Sequence, residues 1–329
     1  MAATTTTVPN AGPVSGSRSF LSKLREGDEI ARIITFIFAA SVVLVTLLLV
    51  FELWHGSALP RHKFGFHFFA TSVWDPIEGD FGALTFIYGT VVTAFVSLAI
   101  AVPLGIGAAI FLAELAPQKI SDTLQFFIDL LAAVPSVIYG LLGVFIIVPL
   151  MREYIQPFLK STLGFLPLFQ GPAYGVGFLT AGIVLAIMVI PYIVSVSREV
   201  LLSVPRDQRE AALALGSTRW ESTWKVVVPF ARSGIMGSIF LALARALGET
   251  MAVTMVIGNT PTISASLFSP GYSIAAVIAN EFSEATGDLY LQSLIELGLV
   301  LFILTFVLNG LARLLIVLTA QRGSEMGRT

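Results

Sequence analysis

The chain has 329 residues, 56% of them hydrophobic and 12% charged, with a mean hydropathy of +0.87. A soluble globular domain carries about 25% charged residues, so most of this surface must face lipid or other membrane helices. A net charge of −2 offers no concentrated basic face for a nucleic-acid partner, and the absence of cysteine excludes disulfides, thiolate chemistry and cysteine metal sites.

Residues 1–17, rich in Ala, Thr, Gly and Pro, hold too little apolar content to fold and are expected to be disordered. Over 19–30, Phe20, Leu21 and Leu24 fall near a helical period among charges, which predicts a helix lying along a membrane surface. Residues 1–30 therefore read as a tail. A hydrocarbon core about 30 Å thick needs about 20 apolar residues in a helix. Six segments meet that need: 31–53, 84–114, 122–151, 175–198, 230–258 and 289–319. The first has no small-residue cleavage site behind it and reads as a retained span, not a removable signal. The domains expected are the tail 1–30, the first span with its loop (31–83), a core membrane domain (84–320) and a short tail (321–329). The fold class is an all-α polytopic membrane protein with six transmembrane helices.

Basic residues set the orientation. Of the 19 Lys and Arg residues, only Arg61, Lys63, Arg152 and Lys160 fall on one side, Arg245 lies within a span, and the other fourteen lie on the side of the N-terminus. Both termini are expected in the cytoplasm of a multi-pass inner-membrane protein. The external loops 54–83, 152–174 and 259–288 are long enough to form re-entrant or capping elements. His55, His62 and His67 lack metal-ligand spacing and read as loop residues, so no metal is expected.

The stretch 203–229, SVPRDQREAALALGSTRWESTWKVVVP, lies between the fourth and fifth spans. Pro205 suits a first helical position, with Ser203 as a possible cap. Asp207 and Glu210 complement the helix dipole, and Gly216 suits a left-handed termination. Ser217 or Thr218 then caps a second short helix through Trp220 and Trp224, and Pro229 opens the fifth span. This helix, glycine turn and helix form a knob too small to be a domain: either a docking element for a soluble partner or a well-capped surface loop.

Charges inside spans are costly, about 2.5–3.5 kcal/mol each at the helix centre, and mark function or tight pairing. Arg245 is placed near the bilayer midplane, with Glu249 one turn further along the same helix face. The pair serves either as an i,i+4 lock or as a contact for a passing anion, to which a guanidinium offers several donors. Asp129 either lines a passage or sits within a turn of the cytoplasmic surface, the second being favoured. Pro103, Pro135, Pro149 and Pro191 are expected to kink or break helices, and Gly105, Gly107, Gly140, Gly143 and Gly248 to permit close helix contact. There is no G-x-x-x-x-G-K-[ST] phosphate loop, so the chain is not expected to be an enzyme and no catalytic residue is assigned.

Glu210-Ala211-Ala212, with Gly216 four residues on and Val226-Val227-Val228-Pro229 beyond, resembles the EAA loop of ABC importer permeases. Val102-Pro103-Leu104-Gly105-Ile106-Gly107, Ala133-Val134-Pro135-Ser136-Val137, Arg245-Ala246-Leu247-Gly248-Glu249-Thr250-Met251-Ala252-Val253 and Val256-Ile257-Gly258-Asn259 extend the likeness. So does Trp74-x-Pro76 with Phe81-Gly82. Over roughly 30–320 the chain resembles the PstC-type permease family of bacterial phosphate ABC importers. The resemblance implies a type I importer permease fold, and a role for Glu210, Ala211, Ala212, Gly216 and Pro229 in coupling to an ATPase. It implies a substrate pathway that includes Arg245, Glu249 and Thr250. The partners implied are a sister permease (PstA-like), an ATPase dimer (PstB-like) that uses ATP and Mg, and a periplasmic phosphate-binding protein (PstS-like). No cofactor is expected on this chain itself. A molybdate or sulfate importer, and a passive channel or secondary transporter, are the competing readings.

Overall fold

The computed structural model describes the backbone of residues 28–326 and the side chains of 30–314. The expected disorder of 1–17, most of the surface helix over 19–30 and residues 327–329 lie outside the described residues. The chain divides into two compact units, 1–52 and 53–329.

Helix α1 (Asp28–Gly56) runs from the first unit into the second, and its apolar run Ile30–Gly56 has a mean hydropathy of 2.9. Thr35, Ser41 and Thr46 turn their hydroxyls back onto carbonyls three or four residues earlier, which lets polar side chains sit in an apolar helix.

The second unit opens with short helices α2 (Ala58–Phe64) and α3 (His67–Ala70). His55, His62 and His67 thus lie on α1, α2 and α3, not in an irregular loop, because the chain stays helical after the first span. Strands β1 (Trp74–Asp75) and β2 (Asp80–Phe81) pair as an antiparallel hairpin. Its turn is closed by Asp75 Oδ1, which accepts from the amides of Ile77 and Glu78, and by Gly79 at φ +74°. Trp74 packs edge-on against Phe81 and Phe86, and its indole donates to Glu281 at 2.8 Å. A Cβ on Gly82 would stand 2.2 Å from the Thr71 carbonyl oxygen, so this corner admits only glycine.

The core that follows contains α4 (Leu84–Ile110), α5 (Gln118–Ala132), α6 (Ser136–Leu142), α7 (Val148–Leu150) and α8 (Gln156–Leu163). After them come α9 (Phe178–Leu202), α10 (Arg206–Ala214), α11 (Arg219–Ser222), α12 (Val228–Leu247), α13 (Met251–Val256), α14 (Ile274–Glu281) and α15 (Asp288–Met326). Among the described residues, six helical runs are long and apolar enough to cross a membrane. Two thirds of the central window of α9 is buried, far more than in any other run, so α9 is the axis on which the bundle is built. Small residues make that packing possible. A Cβ on Gly105 would meet Ile193 at 2.8 Å, one on Gly182 would meet Val96 at 2.4 Å, and one on Gly234 would meet Val200 at 2.3 Å. Gly140 and Gly143 likewise sit against Met255 and Val256, whereas Gly107 has open space and Gly248 touches only its own preceding turn.

Two spans differ from the sequence expectation. The third begins at Ser136, not 122, because the chain breaks over Ala133-Val134-Pro135 and leaves α5 as a separate amphipathic helix. The fifth ends at Leu247, not 258, because Gly248 stops α12 and α13 starts afresh at Met251. It also begins earlier, running without a break from Arg219. A π-helical turn over Thr223–Val227 lets α12 accept Pro229 without ending the helix, and a second such turn (Gly143–Ile147) precedes Pro149. Pro103 and Pro191 stay inside α4 and α9.

Candidate functional site

The 203–229 stretch builds one end of the bundle. Ser203 donates to the Val200 carbonyl and so finishes α9 instead of capping α10, whose first residue follows Pro205. Gly216 takes φ +86°, and Ser217 donates both its amide and its hydroxyl to the Ala212 carbonyl. Thr218 then forms a reciprocal cap: its hydroxyl accepts the Glu221 amide at 3.2 Å, and Glu221 accepts the Thr218 amide at 3.0 Å. Glu210, Ala211, Gly216 and Pro229 are exposed, while Ala212 is buried. Leu215 stands 90% exposed between them, and Trp220 and Trp224 pack edge to face nearby. This face presents small residues, protruding apolar groups and the Glu210 carboxylate together.

Arg209, which the sequence did not single out, fixes this loop from the inside. Its Nε donates to both Glu114 oxygens at 3.2 Å, and its Nη2 donates to Glu114 Oε1 and the Leu201 carbonyl, each at 2.7 Å. Its Nη1 donates to the Val204 carbonyl. Arg198 makes a comparable but more open contact, donating to Ser121 and Asp122 on α5.

The second site lies where α5 and α12 break. In an unbroken helix the Leu131 carbonyl would accept from residue 135, and Pro135 has no N–H. The Tyr139 hydroxyl takes that place at 2.8 Å, and the Tyr192 hydroxyl serves the Ala132 carbonyl at 2.9 Å. Tyr192 lies near the middle of α9, and the Arg245 guanidinium sits 4.3 Å from its ring centroid. Arg245 is therefore held at mid-bundle depth by a ring whose hydroxyl closes a helix break.

Arg245 and Glu249 do not form the expected pair on one helix. Gly248 ends α12, so Glu249 falls in the turn, where its Oε1 accepts the Ala252 amide at 3.2 Å at the start of α13. Thr250 occupies the same turn and donates to the Gly248 carbonyl at 3.4 Å. Among the described residues no ion pair or hydrogen bond engages Arg245, and its Nε is buried without a partner. The i,i+4 lock is thereby excluded. Asp129 accepts from Gln125 at 2.7 Å and Ser195 at 2.8 Å, one turn of α9 from Tyr192. Tyr139, Tyr192, Glu114 and Arg209 were missed because each acts through a partner distant in sequence; only the charge of Arg209 beside Glu210 was a visible signal.

Six membrane-length helices among the described residues, with an exposed, glycine-terminated helix at one end, make this a multi-pass helical membrane protein. Residues 101–317 match the family described as binding-protein-dependent transport system inner membrane component, and the chain belongs to that family. It is 49% identical over 294 residues to the phosphate transport system permease protein PstC of Xylella fastidiosa, covering 87% of this chain and 90% of the relative. It is 48% identical over 281 residues to the PstC protein of Mesorhizobium japonicum, covering 84% and 86% of the two chains. A probable PstC protein of Methanocaldococcus jannaschii is 40% identical over 293 residues, covering 87% and 92%.

Proposed function

We propose that this chain is a transmembrane permease subunit of an ATP-driven importer of inorganic phosphate. The observation that carries the reading is the Arg245 guanidinium, placed at mid-bundle depth on the Tyr192 ring with no carboxylate to neutralise it. A half-buried cation with no counter-charge is costly to keep within a membrane, and a passing oxyanion is the partner that would repay it. Its relatives carry the name of phosphate permeases, which fits that chemistry. Thr250 and Glu249 belong to the same pathway, at the turn where α12 gives way to α13. Glu249 holds the start of α13 and thereby the geometry of the break.

The chain has no phosphate loop of its own, so ATP and Mg are used by a separate ATPase dimer that docks on Glu210, Ala211, Ala212 and Gly216. Pro229 ends the coupling segment. A sister permease completes the passage, and an external phosphate-binding protein delivers the substrate. The protein sits in the bacterial inner membrane with both termini in the cytoplasm, as the bias of Lys and Arg supports. ATP binding closes the ATPase dimer, the docked loop moves with it, and the bundle opens toward the binding protein; hydrolysis resets it.

The test is uptake of labelled phosphate in proteoliposomes containing this chain with its sister permease, ATPase and binding protein. Arg245→Ala should abolish uptake in a complex that still assembles. Undiminished uptake by that variant would remove Arg245 from the pathway. Uptake that persists without ATPase would convert the importer into a channel or secondary transporter, and competition by molybdate or sulfate would change the substrate.

A further inference from the structure

A docking helix moves a membrane bundle only if force applied to it reaches the spans. α10 is nine residues long and buries a single side chain, Ala212, so apolar packing alone grips it weakly. Its chain link to α9 passes through the short turn at Ser203, Val204 and Pro205, which belongs to neither helix. Two clefts flank the helix root, one of 220 Å³ lined by Leu213, Arg219, Ser222 and Thr223, the other of 370 Å³ lined by Ala113, Leu202 and Arg206. Between these clefts stands the Arg209–Glu114 pair, with side chains only 20% and 10% exposed.

We propose that this pair is the strut that carries motion of the coupling helix into the second and fourth spans. Glu114 lies in the π-helical turn Phe111–Leu115 that continues α4, and Leu201 and Val204 mark the end of α9. One guanidinium therefore ties three elements through a planar fork whose bond directions are fixed. The bonds to Leu201 and Val204 close the hinge between α9 and α10, and the bonds to Glu114 prevent α10 from sliding past α4. Arg209 and Glu114 are positioning residues: neither faces the docking partner nor the passage. The Arg198–Asp122 pair, 3.2 Å apart with the Asp122 side chain 61% exposed, ties α9 to α5 outside the 203–229 loop and serves as a control.

This inference rests on the importer reading, and the experiment separates the two. In the complete reconstituted complex, phosphate uptake and ATP hydrolysis are measured together for wild type, Glu114→Gln, Arg209→Lys and Asp122→Asn. Wild type must first show ATP-dependent phosphate uptake; if it does not, the importer reading fails before the strut is tested. With that satisfied, Glu114→Gln and Arg209→Lys should assemble at normal subunit ratio and hydrolyse ATP. Their phosphate imported per ATP should fall about tenfold, the scale of a lost coupling contact. Asp122→Asn should keep the wild-type ratio. An unchanged ratio in both strut variants overturns the proposal. So does failure of both to assemble, which would assign the pair to folding.

Discussion

The 203–229 loop and the mid-bundle helix break treat charge in opposite ways. At the docking loop, Arg209 is matched to Glu114 and two backbone carbonyls, so its donors are spent on holding protein to protein. At mid-bundle, Arg245 has an aromatic ring beneath it and no carboxylate, so its donors stay available. Desolvation is more costly at the second position than at the first, yet the second is the one left unpaired. A guanidinium satisfied by protein groups is locked in place; one left unsatisfied in the middle keeps the donors that the proposed oxyanion would take.

The strongest way to break that contrast is at Arg245. Losing a desolvated charge contact costs about 2–5 kcal/mol, so Arg245→Ala should lower uptake by about a hundredfold or more. Arg245→Lys should recover part of it, since an ammonium keeps the charge but loses the planar donors and the stacking on Tyr192. Equal uptake by the Lys variant and wild type would show that charge alone matters.

The docking loop is sharpened next, through Gly216. Its φ of +86° lies where side chains are strained, although a Cβ would meet nothing within 4 Å. Gly216→Val should therefore misdirect the end of α10 through its backbone alone, at a cost of about 1–2 kcal/mol. ATP hydrolysis coupled to uptake should fall several-fold, with the membrane bundle melting at an unchanged temperature. A lowered melting temperature together with normal coupling would mean that the glycine serves the fold and not the joint.

What the sequence disclosed follows the same division. The loop's helix, its glycine stop and its Thr218 cap were legible because each depends on neighbours within four residues. Six apolar runs were legible because lipid demands them. The breaks at 133–135 and 248–250 were harder, because Ala133 and Val134 stay apolar and Gly248-Glu249-Thr250 reads equally well as a polar patch within one continuous helix. Pro135 announced a kink but not that α5 would part from the third span. Nothing local announced that Glu249 would leave α12 and hold α13. The Arg209–Glu114 strut joins residues 95 positions apart, and no periodicity spans that distance.

A smaller effect is expected at Tyr192, which serves both a break and a charge. Tyr192→Phe keeps the ring under Arg245 and removes only the bond to the Ala132 carbonyl. It should cost about 0.5–1.5 kcal/mol in thermal unfolding, the net worth of a part-buried hydrogen bond, and alter uptake little. Tyr192→Leu also removes the ring and should reduce uptake as well. If Phe and Leu behave alike in transport, the ring does not position Arg245.

Asp129 should give the smallest change of all. One of its oxygens, Oδ1, accepts from both Gln125 and Ser195, which joins α5 to α9 just beyond the break. Asn keeps an acceptor of the same shape at that place and loses the negative charge. Charge-assisted bonds are about twice as strong as neutral ones, so the link weakens without being lost. Asp129→Asn should then import phosphate at nearly the wild-type rate. Faster uptake would mean something different: a carboxylate one helical turn from Tyr192 had been repelling the anion that Arg245 admits, and the passage would have to extend along α9 from one to the other.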